Sequence, residues 1–143
     1  MTKIRACMPE DAAAVSALLG ELGYSVSPQQ AAERIPQLDK TGSDPIFLAI
    51  SEGRVAGVLA CHFCRMLQYP DPVMRVTAVV VDRQARRLGI GKLLMQHAEA
   101  LAAARGCEFV ELTSATTRAE AHAFYRSIGY EPNSLRFRKS VAG

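Results

Sequence analysis

The stretch "VVVDRQARRLGIGKLL", residues 79–94, constrains this chain more than any other. Val79, Val80 and Val81 are apolar at consecutive positions, which reads as the end of a strand covered on both faces. The turn that follows holds Arg83, Arg86, Arg87 and Lys92, with no acid between Arg83 and Lys92. Ile90, Leu93, Leu94, His97, Ala98 and Leu101 then recur at helical spacing, which predicts a helix from Gly91 to Arg105, stopped by Gly106. A strand that runs through a glycine-rich turn into a helix makes an anion site. The first N–H groups of the helix have no intrahelical partner, and the macrodipole adds partial positive charge there. Gly89 and Gly91 let backbone amides come close to a phosphate, and Arg86, Arg87 and Lys92 add full charges. A pyrophosphate or polyphosphate suits that chemistry. The competing reading is a solvated basic turn, and the turn alone does not separate the two. Two familiar phosphate loops are excluded: Leu93 stands where a Walker loop needs Ser or Thr, and Leu94 where a dinucleotide fingerprint needs its third glycine.

The rest of the chain predicts one domain over residues 1–143, too short for two cores. "KIRACM" alternates as a first strand, and Pro9-Glu10-Asp11 opens a helix carrying Val15, Leu18, Leu19 and Leu22. Ser27 and Pro28 start a second helix, which Pro36 should shorten or bend. "IFLAIS" and "RVAGVLACHF" flank Glu52-Gly53 as a hairpin, and "VMRVTAVVV" is the fourth strand. "CEFVELTS", a helix over "TRAEAHAFYRSIGY" and a last alternating strand "SLRFRKSV" complete the order. The expected fold class is α/β in the α+β sense: a mixed, mostly antiparallel sheet with about four helices on its two faces.

Composition narrows the function classes. A net charge of +3 is too small to argue for nucleic acid. No uncharged apolar run is long enough to span a membrane, and Glu10 and Asp11 interrupt what would be a signal peptide. Four cysteines, Cys7, Cys61, Cys64 and Cys107, read as free thiols in a reducing compartment, which places the protein in the cytoplasm. Cys61-x-x-Cys64 is half a metal or redox motif; on a strand its thiols diverge, so no metal is expected. No Ser or Cys nucleophile stands beside a base.

The opening stretch resembles the acetyl-CoA motif of the GNAT superfamily of N-acetyltransferases, with Arg86, Gly89 and Gly91 in the places of [RQ]-x-x-G-x-[GA]. "AEAHAFYRSIGYE" is similar to the second signature of that family through Ala121, Phe124, Tyr125, Gly129 and Tyr130. "IRACMPEDAAAVSALLGELGY" resembles its first strand and helix, so the likeness covers nearly the whole chain. Within the family, "VELTS…AHAFY…GYE…LRF" is similar to the subgroup containing aminoalkylphosphonate N-acetyltransferases. The resemblance implies a GNAT-like sheet of six to seven strands, splayed between the fourth and fifth, and an enzyme moving the acetyl group of acetyl-CoA, its cosubstrate, to a primary amine. A small-molecule amine is the expected acceptor and a protein or peptide amine the alternative. A further alternative is a weakly catalytic CoA-binding sensor, and family habit leaves room for a homodimer.

Residue by residue, the resemblance lays the pyrophosphate on amides of Arg86, Arg87, Leu88, Gly89, Ile90, Gly91 and Lys92. It pairs the pantetheine arm with the strand end at Val79, Val80 and Val81, and makes Tyr125 the general acid that protonates the leaving thiolate. Three places depart from the family pattern, the mildest being Arg87, which replaces a frequent glycine but keeps the amide. Aligned on "VVVD", a frequent glutamate is replaced by Ala78, which cannot take a proton from the amine. Glu111, His62 and His122 are candidate bases, each with a plain structural alternative, and the base stays open. Arg118 replaces an asparagine and is expected at cofactor phosphate, at an anionic substrate group, or in solvent. The expected acceptor-lining segments are the first two helices with their connector, and "CRMLQYPDP"; they hold Tyr24, Gln68, Tyr69 and Asp71. His97 is expected in the core, and Arg136 and Arg138 as solvated edge charges.

Overall fold

The computed structural model describes residues 1–114 and 118–142, which fall into two compact units, Met1–Leu112 and Thr113–Gly143. In the first, β1 (Thr2–Ala6) is followed by a short 3₁₀ turn (Pro9–Asp11), α1 (Ala12–Glu21), α2 (Pro28–Asp39), β2 (Ile46–Ser51), β3 (Arg54–Cys64), β4 (Val73–Val81), α3 (Ile90–Ala104) and β5 (Val110–Leu112). The sheet order is β1-β2-β3-β4-β5. All neighbours are antiparallel except β4 and β5, which are parallel. A parallel pair needs a long crossover, and α3 supplies it. In the second unit, α4 spans Ala119–Ser127.

Local chemistry sets these boundaries. Arg5 grips Asp11 with two bonds of 2.8 and 2.9 Å, and Asp11 also accepts from Met8 N at 2.8 Å, fixing the chain between β1 and α1. The Arg5 guanidinium holds the Asp11 carboxyl below its usual range against the opposing effect of burial. Ser27 and Gln30 form a reciprocal capping box at the start of α2, with bonds of 2.9 and 3.1 Å. Glu52 and Gly53 both adopt positive φ, 52° and 75°, as a tight two-residue hairpin of the I′ kind requires.

The core lies on both faces of the sheet. Val15 and Leu18 of α1 with Ala31 and Ile35 of α2 pack on Leu48, Val58 and Val80. On the opposite face α3 buries Ile90, Leu94, Met95, Ala98 and Ala102. Each fully buried large side chain contributes about 1.5–3 kcal/mol of burial energy. Gly57 of β3 faces α3 at close range: a Cβ there would stand 3.1 Å from Leu94 Cδ1, 3.1 Å from Val80 O and 3.4 Å from Ile90 Cγ2.

Two expectations change, and a third is narrowed. Five strands, not six to seven, occur among the described residues. The last alternating segment, from Ser134 to Val141, has no regular structure, and Leu135, Phe137 and Val141 are 79%, 88% and 93% exposed. Alternation marks which face a strand would bury; it does not supply the neighbour that makes a strand. Pro36 lies inside α2, which runs on to Asp39 and is not cut short there. Its missing N–H removes one bond, while Ile35 beside it is held in the core at 4% exposure.

Candidate functional site

The turn between β4 and α3 is built from the residues singled out by sequence. Asp82 caps a 3₁₀ turn at Arg83–Ala85 by accepting from Gln84 N at 2.9 Å. Arg83 N donates to Glu21 Oε1 at 3.1 Å, tying the turn to the end of α1. Arg86 folds back so that Nε donates to Val81 O at 3.4 Å. Gly89 is the N-cap of α3 with φ 75° and no side chain to cap it, so the N–H groups at the helix start take no side-chain partner. Leu88 is 64% exposed. Among the described residues, Arg86, Arg87 and Lys92 form no ion pair. One cation was not expected to carry strain: Arg87 sits at φ 71°, a left-handed conformation that costs a non-glycine residue roughly 1–2 kcal/mol. Arg87→Gly is therefore expected to raise unfolding free energy by about 0.5–1 kcal/mol in urea denaturation, whereas Arg87→Ala keeps the Cβ and changes it little.

Above this turn, among the described residues, the outer edge of β4 carries no strand partner beyond Val76. Its ladder to β5 covers only Met74–Val76 with Val110–Leu112, and β4 continues to Val81. On the other side, Asp82 N donates to Ala56 O at 2.7 Å, and Val81, Val80 and Val79 lie opposite Gly57, Val58 and Leu59. Antiparallel pairs alternate between bonded and non-bonded. The N–H and C=O groups of Val79 and Val81 consequently point away from β3, while those of Val80 are used in the ladder. The Val80 side chain is buried at 6% exposure.

In the second unit, Arg118 is the N-cap of α4 and its carbonyl accepts from His122 N at 3.1 Å. Tyr125 is half-buried, its ring edge-on to Phe124 and Tyr130 at 5.3 and 6.2 Å. Burial raises the Tyr125 phenol above its ordinary value, and the Arg118 charge pulls it partly back. Its hydroxyl hydrogen-bonds to none of the described residues.

The open question of a base takes a definite shape in the first unit. Ala78 sits opposite Ala60. Glu111 is engaged, accepting from Arg75 Nε at 2.6 Å. His62 Nδ1 lies 2.6 Å from Asp44 Oδ1, and sequence reading missed Asp44 altogether. His122 belongs to α4 in the second unit. His97 rests edge-on against Phe47 at 4.4 Å. All four cysteines are free; burial pushes the Cys61 thiol up to about 12 and the Cys7 thiol up to about 11, which makes both poor nucleophiles. Arg136 donates to Thr113 Oγ1 at 3.2 Å. Among the described residues no group of three or more His, Cys, Asp or Glu could hold a metal, and no helix is long and apolar enough to cross a membrane. A small hollow among Cys7, Ile35, Asp39, Asp44 and Ile46 lies at the opposite end of the sheet from the β4–α3 turn.

A model of the acetyltransferase (GNAT) family matches residues 13–130. The chain is 32% identical over 94 residues to an aminoalkylphosphonate N-acetyltransferase of Salmonella typhimurium, across 66% of this chain and 61% of that relative. It thus spans about three-fifths of the relative's length. A transcriptional regulator from Bacillus halodurans shares the fold with TM-score 0.89 at 21% identity, over 98% of this chain and 99% of that one. An aminoglycoside N-acetyltransferase solved in complex with CoA matches with TM-score 0.86 at 14% identity, over 99% and 96%.

Proposed function

Because the chain belongs to the acetyltransferase (GNAT) family, we propose that it moves the acetyl group of acetyl-CoA to a primary amine of a small molecule, by direct attack in a ternary complex. The observation that carries this reading is the pairing of two backbone features of the first unit, one without a side-chain cap and one outside the ladder, where Arg86 Nε reaches Val81 O at a long 3.4 Å. One is the uncapped mouth of α3 with Arg86, Arg87 and Lys92 around it. The other is the unladdered edge of β4 at Val79 and Val81. A diphosphate joined to an amide-bearing arm is complementary to both. In this reading amides from Arg86 to Lys92 hold the diphosphate, and Val79 and Val81 pair with the arm. An amide in the Val79–Val81 segment faces the oxygen that becomes negative as the amine attacks.

Tyr125 then donates the proton that the departing thiolate takes up. A phenol raised above its usual value is protonated throughout the neutral range and can give that proton. Arg118 meets a phosphate of the cosubstrate or an anionic group of the acceptor. No metal takes part, and the two units serve one acetyltransferase domain. The relative's name makes an aminoalkylphosphonate the first acceptor to try.

Loss of thioester absorbance from acetyl-CoA, followed with 2-aminoethylphosphonate, other small amines and peptides with free N-termini, tests the proposal. Turnover confined to small amines supports it. Turnover of peptides alone moves the acceptor to protein. Tight binding of CoA with no turnover of any amine would indicate a sensor, the reading to which Ala78 lends some weight.

A further inference from the structure

We propose that His62 is the base that removes the acceptor's proton, working through water, and that Asp44 is the residue that positions it. This rests on the N-acetyltransferase reading and supplies what Ala78 leaves out.

The geometry begins with Asp44. The segment that carries it runs along β3 as an added rung: Cys61 N donates to Pro45 O at 3.0 Å and Phe63 N to Ser43 O at 2.8 Å. Asp44 is thereby fixed beside His62, which lies between those two donors. Its Oδ2 is braced by Thr41 Oγ1 at 2.6 Å and Ser43 Oγ at 3.2 Å, and its Oδ1 meets His62 Nδ1 at 2.6 Å. Burial works to raise the Asp44 carboxyl, but the contacts with Thr41, His62 and Ser43 outweigh it and hold the group below its ordinary value. An ionised carboxylate only accepts, so the proton between the two belongs to Nδ1. A neutral His62 then has its lone pair on Nε2, which bonds to none of the described residues. The ring is 38% exposed.

Its position fits the task. Val58 and Val80 face α1 and α2, whereas Gly57 faces α3. By alternation along β3, Ala60 and His62 share the face of Val58, and Ala78, opposite Ala60, shares it too. That face carries the two helices expected to line the acceptor. His62 lies opposite Arg75, two residues along β3 from Ala60, and a bulge in β4 at Thr77 separates its partner from Ala78. That places His62 next to the last rung of the β4–β5 ladder, Val76 with Leu112. It therefore stands level with the fork from which the unladdered edge of β4 departs. A water between Nε2 and the amine is within the range in which a base acts. The charged groups around the ring are Asp44 on the preceding loop, Arg75 on β4, and Glu111 on β5, which pairs with Arg75; Asp39 at the end of α2 lines the hollow beside Asp44.

The proton balance closes. The ammonium gives one proton to Nε2 through water, and His62 returns it to solvent. The free amine forms the C–N bond, and the tetrahedral adduct gives its second N–H proton to the same base. The C–S bond breaks, and the thiolate receives a proton from Tyr125, which is restored from the second proton. One proton is released for each amide and each CoA thiol formed.

His62→Ala is expected to lower kcat/KM for 2-aminoethylphosphonate on the order of 10²-fold at neutral pH. CoA titration should be unchanged, and added imidazole should restore part of the rate. The wild-type fall in rate on acidification should give way to a simple rise with the free-amine fraction. Asp44→Asn should give a smaller loss. In proton–nitrogen spectra of the imidazoles, neutral His62 should carry its proton on Nδ1, and Asp44→Asn should erase that preference. A His62→Ala enzyme within twofold of wild type with the same acid limb, while Tyr125→Phe is impaired, overturns the base and leaves the acetyltransferase standing. Neutral His62 protonated on Nε2 overturns it as well. A wild-type protein that neither binds CoA nor turns over any amine overturns both.

Discussion

Replacing Tyr125 by Phe is expected to lower kcat by about 10²–10³-fold, equivalent to roughly 2.7–4 kcal/mol of transition-state stabilisation, without weakening CoA binding. The ring survives this change, so its contacts with Phe124 and Tyr130 persist and only the proton is removed. The pH dependence carries a sign. The donor works in its neutral form, and burial moves its ionisation upward. The wild-type plateau in kcat should therefore extend past pH ~10, the ordinary phenol value, before it declines. In the variant the plateau is lower and that decline is absent. Steady-state rates with saturating acetyl-CoA from pH 6 to beyond about 10 make the comparison, with a CoA titration as control. Unchanged turnover across that range would remove Tyr125 from the chemistry.

Gly57→Val is expected to destabilise the first unit by about 2–3 kcal/mol and to weaken acetyl-CoA binding with it. The new Cβ would enter within 3.1 Å of a backbone oxygen, Val80 O, and of Leu94 Cδ1. Leu94 is fully buried and Val80 O belongs to β4, so neither yields easily. The third neighbour, Ile90, is the first residue of α3. Relief by pushing α3 outward shifts the amides at its mouth, so stability and affinity should fall together. Gly20, inside α1 with open space around its Cα, is the contrast: Gly20→Ala should stabilise by about 0.5–1 kcal/mol and leave affinity alone. Urea denaturation and CoA titration of both variants check this. A Gly57→Val protein as stable as wild type would show that α3 is not seated against β3 as described.

Strand, turn and helix around Val79–Leu94 were legible in the sequence because each is a local matter: consecutive valines, a glycine, a repeat of apolar residues. The hairpin at Glu52-Gly53 was legible for the same reason. Asp44 was not. Eighteen residues separate it from His62, and their meeting depends on the loop pairing with β3, which no local pattern encodes. Arg87 was legible in part: it stands where the resemblance has a frequent glycine, but its left-handed backbone follows from how the turn closes. The tail from Ser134 to Val141 misled in the opposite direction, showing the rhythm of a strand while pairing with no strand among the described residues.

The sheet places its strands in the order in which the chain supplies them. A polypeptide emerging from the ribosome N-terminus first presents each strand to a neighbour already made. The β2–β3 hairpin closes over two residues and is the cheapest nucleus, whereas β1 must fold back across roughly 40 residues to reach β2. β5 comes last, after the whole of α3. During synthesis the outer edge of β4 therefore waits uncovered while the whole of α3 is made, and that interval leaves a nascent chain of this kind open to joining with another.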